Sequence, residues 1–172
     1  DFVADGSISY SVFFSTPSSS SDTNYNGLTP ASVALSNSDN DMAGVTVSAI
    51  SGNTAESGTT ATFTVVLTSQ PLSPVDTYYS SSNTGEGQIK QSLGLCATAG
   101  TAAATACKLS FTSANWSTPQ TVTVQGINDF VQDGNITYNL TSAAIAGSGA
   151  DYNGIIPASV TVTNIDNDVA GF

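Results

Sequence analysis

One run of this chain is written twice. Asp39-Asn40-Asp41 returns as Asp166-Asn167-Asp168, and its surroundings return with it: Tyr25-Asn26-Gly27 as Tyr152-Asn153-Gly154, Pro30-Ala31-Ser32-Val33 as Pro157-Ala158-Ser159-Val160, and Asn37 as Asn164. Upstream, Asp1-Phe2-Val3-Ala4-Asp5-Gly6 reappears as Asp129-Phe130-Val131-Gln132-Asp133-Gly134. The offset is 128 at the first of these motifs and 127 at the last, so a single residue is lost in a loop between them. Self-similarity at this spacing makes the chain a window onto a tandem array of domain-sized units. The expected partition is residues 1–41 as the C-terminal half of one unit (its last two strands), 42–168 as a complete unit, and 169–172 as the start of the next. The leading piece is too short to bury a core of its own and must lean on something else.

Helical periodicity is absent. Apolar residues alternate over short runs separated by Ser, Thr, Asn and Gly, which is the strand pattern. In the leading piece Ile8, Tyr10, Val12 and Phe14 alternate, and Ala31, Val33 and Leu35 follow. In the complete unit the pattern runs through Val45, Val47 and Ala49, then Ala61, Phe63, Val65 and Leu67, then Val75, Thr77 and Tyr79. A hairpin entered through Ile89 and Leu93 and left through Leu109 and Phe111 follows. Val122 with Val124, then Ile136, Tyr138 and Leu140, then Ala158, Val160 and Val162 complete the series. About seven strands at this spacing predict an all-β fold, an antiparallel two-sheet sandwich, with Trp116 plugging one end of the core.

Cys96 and Cys107 flank a run of small residues. A single pair at that spacing predicts a disulfide at the base of a hairpin and an oxidising, extracellular setting. No apolar run reaches the roughly 20 residues of a membrane helix, and any export signal, anchor or further domain is expected outside these residues.

Thirteen acids face two lysines, with no histidine, for a formal charge of −11. Such a surface repels nucleic acid and anionic membranes and attracts cations. Seven strands running alternately up and down put the first, third and fifth connections and the exit of the seventh strand at one end. The acids fall in those places: Glu56, then Glu86, then Asp129 and Asp133, then Asp166 and Asp168. Asp1, Asp5, Asp39 and Asp41 hold the matching positions of the leading piece, leaving Asp22, Asp76 and Asp151 elsewhere. Crowded carboxylates without basic partners call for a hard cation. Calcium (Ca2+) accepts six to eight oxygens at about 2.3–2.6 Å in flexible geometry, and Asn40, Asn128 and Asn167 offer neutral oxygens in the same loops. Magnesium fits less well, and zinc lacks histidine and free thiols. The competing reading of each acid alone is a local turn hydrogen bond.

Residues 47–168 resemble a Calx-beta repeat of large bacterial extracellular and surface proteins. The likeness rests on Ala55-Glu56-Ser57-Gly58 before Thr62-Phe63-Thr64-Val65-Val66-Leu67, on Leu109-Ser110-Phe111-Thr112-Ser113-Ala114-Asn115-Trp116 before Pro119-Gln120-Thr121-Val122-Thr123-Val124, on Asn128 to Gly134, and on Asn164-Ile165-Asp166-Asn167-Asp168. The resemblance implies an immunoglobulin-like sandwich in extracellular arrays, with calcium bound where one unit meets the next. By position, Glu56, Glu86, Asp129, Asp133, Asp166 and Asp168 would be its ligands. Gly134 and Asn135 stand where the family carries further glutamates, and Asn128 replaces an acid; both changes imply fewer or weaker ions.

Without histidine, Ser-His-Asp and Cys-His catalysis are impossible within this chain, and Lys90 and Lys108 read as solvated charges rather than bases. No enzyme is expected. The expected role is a structural repeat of a secreted or cell-surface fibre or adhesin stalk, its junctions stiffened by calcium. Its partners would be neighbouring repeats or copies of itself, in a tandem array or homopolymer. Two alternatives are an adhesin domain binding a receptor or glycan, for which Tyr78, Tyr79 and Phe13 are the candidate aromatics, and a filament subunit polymerising by strand complementation.

Overall fold

The computed structural model describes residues 1–16, 21–90, 97–98, 106–146 and 151–171. The chain is all-β, with three sheets and no helix among the described residues. The leading piece forms an antiparallel hairpin of β1 (Ile8–Val12) and β2 (Val33–Asn37), in register from Ile8 opposite Asn37 to Val12 opposite Val33. The remainder carries β3 (Val45–Val47), β4 (Thr54–Ala55), β5 (Thr60–Leu67), β6 (Val75–Ser81), β7 (Gly87–Ile89), β8 (Ala97–Thr98), β9 (Ala106–Phe111), β10 (Gln120–Gly126), β11 (Ile136–Ser142) and β12 (Val160–Ile165).

These strands build a β-sandwich. One sheet has the order β3-β5-β10-β7 and the other β4-β12-β11-β6-β9-β8, every ladder antiparallel except β4 on β12. The two-residue period decides which face meets the other sheet. Ala61, Phe63, Val65 and Leu67 of β5 are buried while Thr60 is exposed, and Val122 and Val124 of β10 join them. From the second sheet Val75, Tyr79, Leu109, Phe111, Tyr138, Leu140, Val160 and Val162 close the core. Phe63 and Tyr79 meet edge to face across the layers, ring centroids 5.1 Å apart, and the Tyr79 hydroxyl donates to the Ala158 carbonyl at 2.9 Å. Burial pushes the Tyr79 phenol up to about 12.

Several sequence expectations are corrected here. Val45 and Val47 lie in β3, but the strand stops before Ala49; the last strand begins at Val160 and leaves Ala158 exposed. Residues 42–168 contain more than the seven strands expected, because β7 and β9 are separate strands in different sheets rather than arms of one hairpin, and β4 occupies two residues of a stretch read as a turn. Tyr79 is wholly buried, so of the three aromatics considered for a ligand surface only Tyr78 and Phe13 are exposed. Cys107 is buried in β9; Cys96 and Leu93 lie outside the described residues.

The ladder directions give the sandwich two unlike poles. At one, Leu67 N–H donates to the Trp116 carbonyl at 3.2 Å and the Tyr152 hydroxyl donates to the Ser69 carbonyl at 2.7 Å. Trp116 packs half-buried against the core there, as expected of an end plug. At the other pole lie the 56–58, 82–86 and 127–135 connections and the exit of β12.

Hairpin β1–β2 matches β11–β12 at Ile8, Tyr10, Val33 and Asn37 but does not share its surroundings. Tyr10 is 51% exposed where Tyr138 is 2%, and Leu35 is 43% exposed where Val162 is 2%. Its acidic end adjoins the tryptophan pole of the sandwich: Gln70 N–H donates to the Phe2 carbonyl at 2.6 Å, the Phe2 ring lies 5.8 Å from that of Trp116, and Thr68 bonds the Met42 carbonyl at 2.6 Å.

Candidate metal centre

Glu56 owes its position to a turn. Glu56 N–H donates to the Ile165 carbonyl at 3.1 Å, and Gly58, at φ +85°, lets its own N–H return to the Ala55 carbonyl at 2.9 Å. A left-handed conformation of this kind suits glycine. The Glu56 side chain, 4% exposed, accepts from Asn167 N–H at 3.0 Å, which brings it to the end of β12. There Asp166 accepts from Asp168 N–H at 2.7 Å with one oxygen and from Gly134 N–H at 2.7 Å with the other. Glu56, Asp166 and Asp168 thereby offer one carboxylate oxygen each within 4.8 Å of one another.

A second trio forms beside it. Glu86, 6% exposed, comes within the same 4.8 Å limit of Asp129 and Asp133. Its carbonyl takes Ile127 N–H at 3.0 Å, tying the 82–86 loop to the 127–135 loop. Asp129 accepts from Val131 N–H at 2.9 Å, and Asp133 N–H donates to the Val131 carbonyl at 2.9 Å.

Asn164 links the Glu86 loop to β4 from inside the protein. Its amide donates to Glu86 Oε2 at 3.1 Å and to the Ile127 carbonyl at 3.1 Å, and its Oδ1 accepts from the Thr54 hydroxyl at 3.1 Å. Thr54 also reaches the Tyr138 hydroxyl at 3.2 Å. Neither Thr54 nor Asn164 is among the residues expected for the site. The signal was present for Asn164, a polar residue interrupting an apolar alternation and repeated from Asn37. Two glycines make the room: a Cβ at Gly87 would strike the Tyr138 hydroxyl, and one at Gly126 would strike the Ala55 carbonyl and Asn164 Oδ1, all far inside van der Waals contact.

The electrostatics of the first trio are those of a group that could hold a cation. The Asn167 N–H draws the Glu56 pKa down, yet desolvation and the carboxylates of Asp166 and Asp168 together hold it above the ordinary glutamate value. Asp168 Oδ2 is buried and has no hydrogen-bond partner, an arrangement that costs free energy unless something else binds there. Two oxygens on one calcium ion at about 2.3–2.6 Å lie at most about 5 Å apart, and the oxygens of each trio, all within 4.8 Å of one another, meet that limit. The donor set is oxygen throughout.

Of the ten acids expected as ligands, six thus fall into two trios rather than one cluster. Asp1, Asp5, Asp39 and Asp41 line a separate pocket of about 180 Å³ with Gly6 and Asn37. These four form no third trio among the described residues. The local bonds nevertheless match: Gly6 N–H on Asp39 at 2.6 Å answers Gly134 on Asp166, and Asp41 N–H on Asp39 at 2.8 Å answers Asp168 on Asp166. The Asp41 and Gly6 amides hold the Asp39 carboxyl below its usual value. Asn128 spends its Oδ1 on Phe130 N–H at 3.0 Å and Asn135 spends its own on Asp166 N–H at 3.0 Å, so both shape loops. Asp76 stands apart, paired with Lys108 at 2.8 Å. No protein-family model and no curated protein matches this chain.

Proposed function

We propose that this chain is a stretch of an extracellular tandem array of immunoglobulin-like, Calx-beta-like units, and that calcium held at the acidic pole stiffens each unit and its junction with the next. The observation that carries this reading is the pair of carboxylate trios at one pole, each within 4.8 Å, one of them with a buried oxygen lacking any partner. Glu56, Asp166 and Asp168 would hold one ion and Glu86, Asp129 and Asp133 another. The ions would neutralise repulsion and clamp four separate connections together. A disulfide between Cys96 and Cys107 would suit the same compartment. A structural rather than enzymatic role agrees with the state of Lys108, which its ion pair with Asp76 keeps protonated and raised in pKa.

An ion at about a hundred times its dissociation constant adds roughly 2.7 kcal/mol to the bound state. Calcium is therefore expected to raise the melting temperature of the 172-residue chain, and chelator to reverse the rise. An unchanged melting temperature across a calcium titration refutes the metal part of the proposal.

The bare face of β1 and β2 favours a second reading, in which that hairpin completes its sandwich with strands from another copy and so builds a polymer. Sedimentation of the purified chain over a wide concentration range tests it. Association that grows with concentration and disappears when Tyr10 and Leu35 are changed to serine supports it; a monomer throughout refutes it.

A further inference from the structure

The two copies of the Asp-Phe-Val loop differ in what their phenylalanine touches. Phe2 rests on Trp116, centroids 5.8 Å apart, with its carbonyl fixed by Gln70 N–H. Phe130, at the equivalent position of the complete unit, is 82% exposed, and its backbone sits at φ +62°, the sole non-glycine residue with positive φ among those described. A bulky side chain in that region is disfavoured, and Phe2 is not in it. The loops are otherwise alike, with Val3 on Asp1 at 3.0 Å and Val131 on Asp129 at 2.9 Å, and with Asp5 on Val3 at 3.0 Å and Asp133 on Val131 at 2.9 Å.

We infer that Phe130 is a docking residue for a second copy of this unit, seating its ring on that copy's Trp116 and its carbonyl on that copy's Gln70 N–H, as Phe2 does in this chain. The partner is chosen by what already occupies the tryptophan pole. Docking moves the Phe130 backbone out of the left-handed region, so the contact forms with a local change of conformation. This inference rests on the tandem reading above but not on calcium, since ring contact and amide bond involve no carboxylate.

The test extends the full chain by a second copy of residues 45–171 placed directly after Gly171, with Trp116→Phe in the first copy so that one tryptophan reports. Acrylamide, a neutral quencher, avoids bias from the negative surface. Phe2→Ala in the unextended chain calibrates how far uncovering Trp116 raises quenching. Phe130→Ala in the extended protein is expected to raise quenching of the second-copy tryptophan to a comparable extent, with the melting temperature of the first unit unchanged because the side chain is already exposed there. Quenching indifferent to Phe130→Ala, with a clear Phe2→Ala effect, overturns the inference. Repeating both measurements in chelator separates the two proposals: a Phe130 effect that persists while calcium has no influence on melting supports the interlock and removes the metal.

Discussion

Alanine at Gly126 is expected to destabilise the sandwich by about 3 kcal/mol or more, lowering its melting temperature by roughly 10 °C. The added methyl would overlap the Ala55 carbonyl and Asn164 Oδ1. Neither can step aside. Ala55 belongs to β4, held in parallel pairing on β12, and Asn164 is 1% exposed and bonded to Glu86, Ile127 and Thr54. Making room means pulling β4 off the sheet or breaking a buried polar network, and an orphaned buried amide costs about 1–3 kcal/mol by itself. Gly134→Ala is the informative control, because its Cβ would meet open space and only its φ of +81° resists the change. That loss should be nearer 1 kcal/mol. Thermal denaturation followed by circular dichroism reads both, and a Gly126→Ala protein melting within a degree or two of the parent would mean that this end of the sandwich yields easily.

Glu56→Gln is expected to act in opposite directions with and without metal. In the metal-free protein the folded-state pKa of Glu56 lies above the ordinary value, despite the Asn167 N–H, because of desolvation and the neighbouring Asp166 and Asp168. An acid with a raised folded pKa binds protons more readily folded than unfolded, so stability falls as pH rises through the interval between the unfolded and folded values. Above that interval the ionised side chain is a standing cost. Glutamine retains an oxygen for Asn167 N–H and gains an amide that can donate to the unpartnered Asp168 Oδ2. The variant should therefore melt higher than the parent in chelator at neutral pH. In calcium the order should reverse, since one ligand of the first trio is gone and with it a large part of the roughly 2.7 kcal/mol available at a hundredfold excess over the dissociation constant. A variant less stable than the parent in chelator would show that Glu56 holds the pole together by its own hydrogen bond and needs no ion.

Much of this was legible in the sequence because side-chain alternation reports burial directly. Ala61 to Leu67, Val75 to Tyr79 and Val122 to Val124 fell inward as their period of two demands. Alternation does not name a strand's neighbour, which is why β7 and β9 could be read as arms of one hairpin although they lie in opposite sheets. Nor could it reveal β4, whose two residues carry no pattern and are strand only because β12 lies beside them. Counting turns predicted Glu56, Glu86, Asp129, Asp133, Asp166 and Asp168 at one pole, and the structure brings them together three by three. Their division into two trios depends on where Glu56 and Glu86 reach from their own loops, a side-chain matter beyond sequence spacing. The exposure of Tyr10 and Leu35 against the burial of Tyr138 and Val162 makes the same point: similar motifs take their burial from what is packed over them.

The chain enters the sandwich at the tryptophan pole through β3 and leaves it at the acidic pole through β12. Tension applied along an array of such units would run parallel to these strands. Because antiparallel ladder bonds lie across the strand direction, the pull loads β3 against β5 and β12 against β11 in shear, straining their bonds together instead of opening them one at a time. In the proposed array, this placement of entry and exit would let the sandwich bear a longitudinal load.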